Sequence, residues 1–332
     1  MEQYSDEMKP GGPINPLLVD ALKNMLNNWH DPVDCEGVKV LDAVFAYRLL
    51  LGRNPSQDEV RYIEWASQFT LRDFLAKIKA SEEFKKQVGH IPPSHVLMAE
   101  LPDFRFWFDT TDVEMGVRMG FGNYEPETIA FFRDVITPGM TCWDVGAQTG
   151  FFTCLFSKLV GERGMVVGYE PRPQSFRLLE KNIAENGFDD HALGRKVACS
   201  DAAGHVPMVQ TAGMFVVDHA SADAQETECV RLDQEKHARL PDLIKIDVEG
   251  HEPAVLRGLE GVFARCNPLL VLELNGYWLE RNSNTTGADV IRALNDSGFK
   301  VFRMEEPTVV LDWTTFKQGP LDNCNVFARR TT

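Results

Sequence analysis

The chain has 332 residues, 44% of them apolar and 25% charged, which is ordinary globular composition at a length suited to two domains and excludes collagen-like, disordered and coiled-coil classes. Lys and Arg number 34 against 49 Asp and Glu, for a net charge of −15, of which −12 falls after residue 99. Such an acidic surface argues against nucleic acid, whose binding depends on phosphate neutralisation by Lys and Arg, and against anionic membranes.

The chain opens on a polar tail, Met1–Pro13, whose first residues are acidic rather than basic then apolar, unlike a signal peptide. Residues 14–90 read as an all-α domain. Leu17, Leu18, Leu22, Met25, Leu26 and Trp29 form a helical stripe, as do Val40, Leu41, Val44, Tyr47 and Leu51. Ser56-Gln57-Asp58-Glu59 is a capping-box pattern, and Thr70 caps a helix carrying Leu71, Phe74, Leu75 and Ile78. Pro92-Pro93 marks a linker, and a second domain spans 91–332. No apolar run approaches the roughly 18 residues that span a bilayer, so no integral membrane protein is expected. Seven scattered cysteines, without zinc or C-x-x-C spacing, point to reduced thiols in the cytoplasm.

From Met140 strands and helices alternate. Thr141–Val145 reads as a strand, then a helix through Leu159, then strand Met165–Glu170 and helix Pro173–Asn186. Strands are expected at Val197–Ser200, Leu243–Asp247, Leu269–Leu274, Lys300–Arg303 and Asn325–Ala328, with helices at Pro253–Cys266 and Ala288–Ser297. The near-continuous apolar strands imply a sheet covered on both faces, so the fold class is α/β, mostly parallel and doubly wound, with seven strands. Residues 201–240 break the alternation and read as an irregular or β insertion near the ligand mouth.

The first strand-to-helix turn is Asp144-Val145-Gly146-Ala147-Gln148-Thr149-Gly150. In an open α/β sheet the ligand lies beyond the carboxyl ends of the strands. Gly146 permits a tight turn, and Gly150 lets the helix start against the strand. A carboxylate at Asp144 repels pyrophosphate but suits an ammonium or sulfonium, while the helix N-terminus suits a carboxylate. Glu170, 20 residues after Gly150, is placed to accept from ribose hydroxyls. An amino-acid head, a positive centre and a ribose together describe S-adenosylmethionine better than NAD.

A second concentration of chemistry is Asp247-Val248-Glu249-Gly250-His251-Glu252. A hydroxyl acceptor needs its proton removed, and the imidazole of His251, with an ordinary pKa of about 6.5, suits that task near neutrality. Glu249 or Asp247 would assist it, or Asp247 would contact the donor. Asp247 with Glu273 or Asn275 also offers oxygens to Mg²⁺. The alternative for Glu249 and Glu252 is to stabilise the N-terminus of the following helix.

These segments carry a resemblance. Gly122-Asn123-Tyr124-Glu125-Pro126-Glu127, Pro138-Gly139, Asp144–Phe152, Tyr169–Pro173, Cys199-Ser200-Asp201 and Asp242–Glu252 occur in order, and residues from about 95 to 332 resemble the FkbM family of S-adenosylmethionine-dependent methyltransferases. Gln148 stands where the family usually has Asn. The resemblance implies a Rossmann-like class I sheet. It also implies a donor site drawn from Asp144, Gly146, Ala147, Gln148, Gly150, Glu170, Ser200, Asp201 and Asp247; Tyr124 and Glu125 read either as a lid over the donor or as a helix-start motif. The activity implied is O-methylation of a sugar, glycan, glycolipid or glycosylated metabolite, with 201–240 shaping the acceptor site. Methylation of a nitrogen or carboxylate on a protein or small molecule, and an inert donor-binding scaffold, are the competing readings. Residues 40–86 resemble a small helical domain of unknown function similar to phycobilisome-linker helices, carried by Val44–Pro55 and Ser81-Glu82-Glu83-Phe84.

Overall fold

The structure is a computed structural model that describes residues 96–109, 112, 115–120, 124–211, 214–217, 224–317, 319 and 323–330. The helices expected over 14–90 and the linker at Pro92-Pro93 lie outside these residues. The described residues fall into two units, 96–99 with 107–124, and 100–106 with 125–330. No helix among them is long and apolar enough to cross a membrane.

Strands β1 (Val96–Glu100) and β2 (Arg105–Asp109) form a two-stranded sheet. The first unit also holds α1 (Gly116–Gly120), and the second opens with α2 (Pro126–Val135). From there the chain runs β3 (Thr141–Val145), α3 (Phe151–Val160), β4 (Met165–Tyr169), α4 (Pro173–Glu185), β5 (Ala192–Arg195) and β6 (Ala198–Cys199). Next come β7 (Gly204–Thr211), β8 (Met214–Val217), β9 (Gln225–Val230) and β10 (Leu243–Ile246). The chain closes with α5 (Glu252–Gly258), α6 (Glu260–Phe263), β11 (Leu269–Asn275), α7 (Gly276–Ser283), α8 (Gly287–Asp296), β12 (Phe299–Arg303) and β13 (Asn323–Arg330).

Seven strands form the main sheet in the order β12-β13-β11-β10-β3-β4-β5. β13 is antiparallel to both neighbours and the other pairings are parallel. Every residue of β3 and β10 is buried, as expected for central strands covered on both faces. The core runs from Trp143 and Tyr169 through Ile244, Ile246, Leu270 and Leu272 to Ile291 and Val326. Strand order reverses between β3 and β10, so the carboxyl-end crevice opens there.

Two local expectations change, and an open one is resolved. The edge next to β4 is Ala192–Arg195, not Val197–Ser200. A turn in which Val197 N donates to Arg195 O carries the chain out of the sheet, and Ala198–Cys199 pairs in parallel with Cys229–Val230. An edge strand needs few apolar residues, and Leu193 is half exposed, so the weak run goes to the edge and the stronger one to a buried seam. Within 201–240 the β alternative is the one seen in β7, β8 and β9, which join β6 in a four-stranded sheet, while Leu232–Gln234 is a short 3₁₀ turn. The helix expected over Pro253–Cys266 is two, α5 and α6. Gly258 and Gly261 bring it against Ser200 and Asp233, where a Cβ would clash at 2.2 and 2.9 Å.

Candidate functional site

The middle of the crevice is set by register. Asp144 on β3 stands opposite Gly168 on β4 and Lys245 on β10. Asp144 is 1% exposed. Its Oδ2 accepts from the Thr153 hydroxyl of α3 at 2.6 Å, while its Oδ1 is buried with no hydrogen-bond partner. Burial pushes the Asp144 pKa up, and Lys245 and Thr153 oppose it. Gly168 leaves room for Thr153, whose Oγ1 would meet a Cβ at 2.8 Å. Lys245 is itself buried, donates to Asp247 Oδ2 at 2.8 Å and lies 4.9 Å from the Phe152 ring centroid. Burial alone would lower its pKa, but Asp247, Asp144 and Glu125 raise it instead.

The turn after β3 is held to the end of β4. Gly146 and Ala147 amides donate to Tyr169 O at 3.0 and 2.9 Å, and the Gln148 amide to Glu170 Oε2 at 2.9 Å. Gly146, Gln148 and Gly150 all have positive φ. The close approach at Gly146 is to the residue that follows strand β10, because a Cβ there would lie 1.8 Å from Asp247 O. At Gly150 the neighbour is Leu179 of α4, at 2.6 Å from such a Cβ. Glu170 also accepts from Arg172 N at 2.8 Å and is 6% exposed. Burial carries its pKa to about 7 against the pull of those two amides.

The Asp247–Glu252 segment divides into two neighbourhoods. Asp247 and Glu249 join Glu273 at the end of β11, with carboxylate oxygens of the three within 4.8 Å of one another. Glu249 has a φ of 52°, and burial with Asp247 and Glu252 raises its pKa to about 8. Burial, Asp247 and Glu249 raise Glu273 as well, although Asn323 donates to it at 2.6 Å. Glu125, the N-cap of α2, accepts from Asn325 at 3.1 Å. Tyr124 is buried and belongs to the first unit.

His251 turns the other way. Its Nε2 lies 3.0 Å from Ser200 Oγ, and Asp201 beside it pairs with Arg257 at 2.8 Å. Although partial burial raises it, the hydrogen bond and charge of Arg257 hold the Asp201 pKa below its ordinary value. A cavity of about 540 Å³ lies here, lined by Ser200, Asp201, His205, His251 and Arg257 together with Asn282–Thr285. Glu252 folds back, its Oε1 accepting from the amides of Val248 at 3.0 Å and Gly250 at 3.3 Å, and so fixes the loop.

The buried Oδ1 of Asp144 fits a ligand's ammonium, and the two-amide pocket of Glu170 leaves carboxylate lone pairs for hydroxyl donors, so the residues present suit S-adenosylmethionine. Mg²⁺ finds no support. The ammonium of Lys245 already neutralises Asp247, and Asn275 Oδ1 caps α7 by accepting from Trp278 N at 3.3 Å. Thr153, Gly168, Lys245 and Arg172 are absent from the sequence-derived set of site residues. The one available signal was Lys245, a charged residue inside an apolar strand.

The sheet order and this arrangement at its carboxyl edge define the class. The chain is a Rossmann-like S-adenosylmethionine-dependent methyltransferase. Within that class, residues 144–301 match the Methyltransferase FkbM domain, a match that supports the FkbM family. Hexuronic acid methyltransferase AglP of Haloferax volcanii is 24% identical over 191 residues, 53% of this chain and 73% of that protein. Protein-L-isoaspartate O-methyltransferase of Thermotoga maritima is 24% identical over 219 residues, 65% of this chain and 64% of that one. Among solved structures, methyltransferase FkbM from Methylobacillus flagellatus aligns at a TM-score of 0.40 and 13% identity, over 87% of this chain and 59% of that chain.

Proposed function

We propose that this protein transfers the methyl group of S-adenosylmethionine to a hydroxyl of a carbohydrate-containing acceptor in the cytoplasm. The observation that carries the donor assignment is Asp144, a buried carboxylate with one unpartnered oxygen, set one strand away from Glu170. On this reading Asp144 receives the donor's ammonium and Glu170 its ribose hydroxyls. The turn Gly146-Ala147-Gln148-Thr149-Gly150 shapes the pocket between them. Ser200 and Asp201 border the far end of the donor, and Asp247, fixed by Lys245, lies under its positive centre. Glu125, whose charge acts on Lys245, borders the mouth. When bound, the donor supplies a methyl group on a sulfonium, and the chain's own residues orient the acceptor and take its proton. His251 is the base on this reading, oriented through Ser200, while Glu249 and Asp247, expected to assist it, face Glu273 instead. The stretch 201–240 shapes the acceptor site.

The carbohydrate reading is supported by the relative that methylates hexuronic acid. Carboxyl methylation of a protein is the second reading, favoured by relatives named as protein-L-isoaspartate O-methyltransferases. Incubating the protein with labelled donor and separate pools of glycans, glycolipids and proteins tests both. Label in the carbohydrate pools is expected, and label confined to protein would overturn the first reading in favour of the second.

A further inference from the structure

If the donor occupies the β3–β4 half of the crevice, the acceptor must enter over β10, β11 and β13. That half is bounded by α7, which follows β11 with no intervening loop. Asn275 caps the helix, and its far end is stapled to the loop after β10. Asn282 Nδ2 donates to Glu249 O at 2.7 Å, and Ser283 Oγ donates to Gly250 O. The packing is backbone to backbone, since a Cβ on Gly250 would lie 2.2 Å from Trp278 O. Trp278 and Leu279 are buried, and the exposed positions of α7 include Tyr277, Glu280 and Arg281, of which Tyr277 and Arg281 lie one helical turn apart.

Tyr277 is a large side chain left 41% exposed on a fixed element. Arg281 holds it in place, with Nη1 donating to the Tyr277 hydroxyl at 2.9 Å and the guanidinium 6.0 Å from the ring centroid. A ring so restrained loses little conformational freedom when a ligand packs on it. Its flat apolar face with a polar edge suits a ligand that is itself apolar on one face and polar at the rim. A pyranose meets that description, with axial C–H groups on its faces and hydroxyls around its edge.

We propose that Tyr277, steadied by Arg281, is the platform on which a pyranose ring of the acceptor packs. The proposal rests on the carbohydrate reading above and deepens it by assigning the residues that recognise the sugar. The test is saturation-transfer NMR on the full chain with a panel of neutral and carboxylated methyl pyranosides as probes. Wild type, Tyr277→Ala and Tyr277→Phe are compared, and donor binding by calorimetry checks that each variant is folded. Saturation of at least one pyranoside is expected in wild type. Tyr277→Ala should weaken its binding about three- to tenfold, while Tyr277→Phe, which keeps the ring, stays within about twofold. Equal binding by wild type and Tyr277→Ala would overturn the platform and leave the carbohydrate reading standing. No saturation of any pyranoside by wild type would overturn both.

Discussion

Lys245 and Asp144 stand in register on neighbouring parallel strands, a buried ammonium beside a buried carboxylate, with Asp247 accepting from the same ammonium at 2.8 Å. Two carboxylates under a cationic ligand would repel each other and resist burial. The lysine beneath them offsets that repulsion, and Asp144 Oδ1 remains buried without a hydrogen-bond partner.

Removing that ammonium should be costly. Lys245→Met keeps the length of the side chain but strands Asp144 and Asp247, and breaking a buried pair typically costs about 3–5 kcal/mol. Urea unfolding of the donor-free protein measures this. A loss under about 1 kcal/mol would mean that solvent already reaches the pair.

Donor affinity should depend on pH through Glu170. Ribose hydroxyls donate best to an ionised carboxylate, and burial places this pKa at about 7. Affinity should therefore weaken as pH falls from 8 to 6, and Glu170→Gln should be weaker by about tenfold or more at pH 8, with the gap to wild type narrowing toward pH 6. Calorimetry at several pH values checks both points. An unchanged affinity in Glu170→Gln would remove the ribose assignment.

Stability of the donor-free protein should move in the opposite direction. Glu170 and Glu252 are raised from 4.5 to about 7, and Glu249 to about 8. Between the unfolded and folded values the native state binds more protons, so stability is fullest at the acid end of the window and is lost as pH rises toward 8. The thermal midpoint should fall between pH 5 and pH 8. A rising midpoint would show that these carboxylates are ionised more easily than their burial implies.

The proton acceptor is separable by two variants. His251→Ala should cut turnover by about 10²–10⁴-fold with donor affinity intact. Single-turnover measurements with saturating donor give the comparison with Glu249→Gln. Full turnover in His251→Ala alongside a dead Glu249→Gln would move the role to the Asp247, Glu249 and Glu273 group.

A last prediction concerns the turn. Gly146 has a φ of 87° and no room for a methyl group beside Asp247 O. Gly146→Ala should push β3 and β10 apart at the crevice and abolish measurable donor binding, while a methyl at Gly139, where nothing lies within 4 Å, should leave binding intact despite the strain of its positive φ. Donor titration of both variants decides the matter.

Much of this site is readable along the chain. Near-continuous apolar runs locate β3, β4, β10 and β11 to within a residue or so, and period-3.6 stripes mark the buried side of the helices. Asp144 and Glu170 stand out because each lies at the end of such a run. What only the tertiary structure decided are relations between residues far apart in sequence. Lys245 looks like an interruption of an apolar strand until parallel pairing sets it beside a carboxylate 101 positions earlier. Glu273 joins Asp247 and Glu249 because β11 lies next to β10, and His251 faces Ser200 because α5 packs against the end of β6. Local sequence controls backbone conformation and burial, both short-range. Which charges meet depends on strand order and register, and these are set by the packing of the whole sheet.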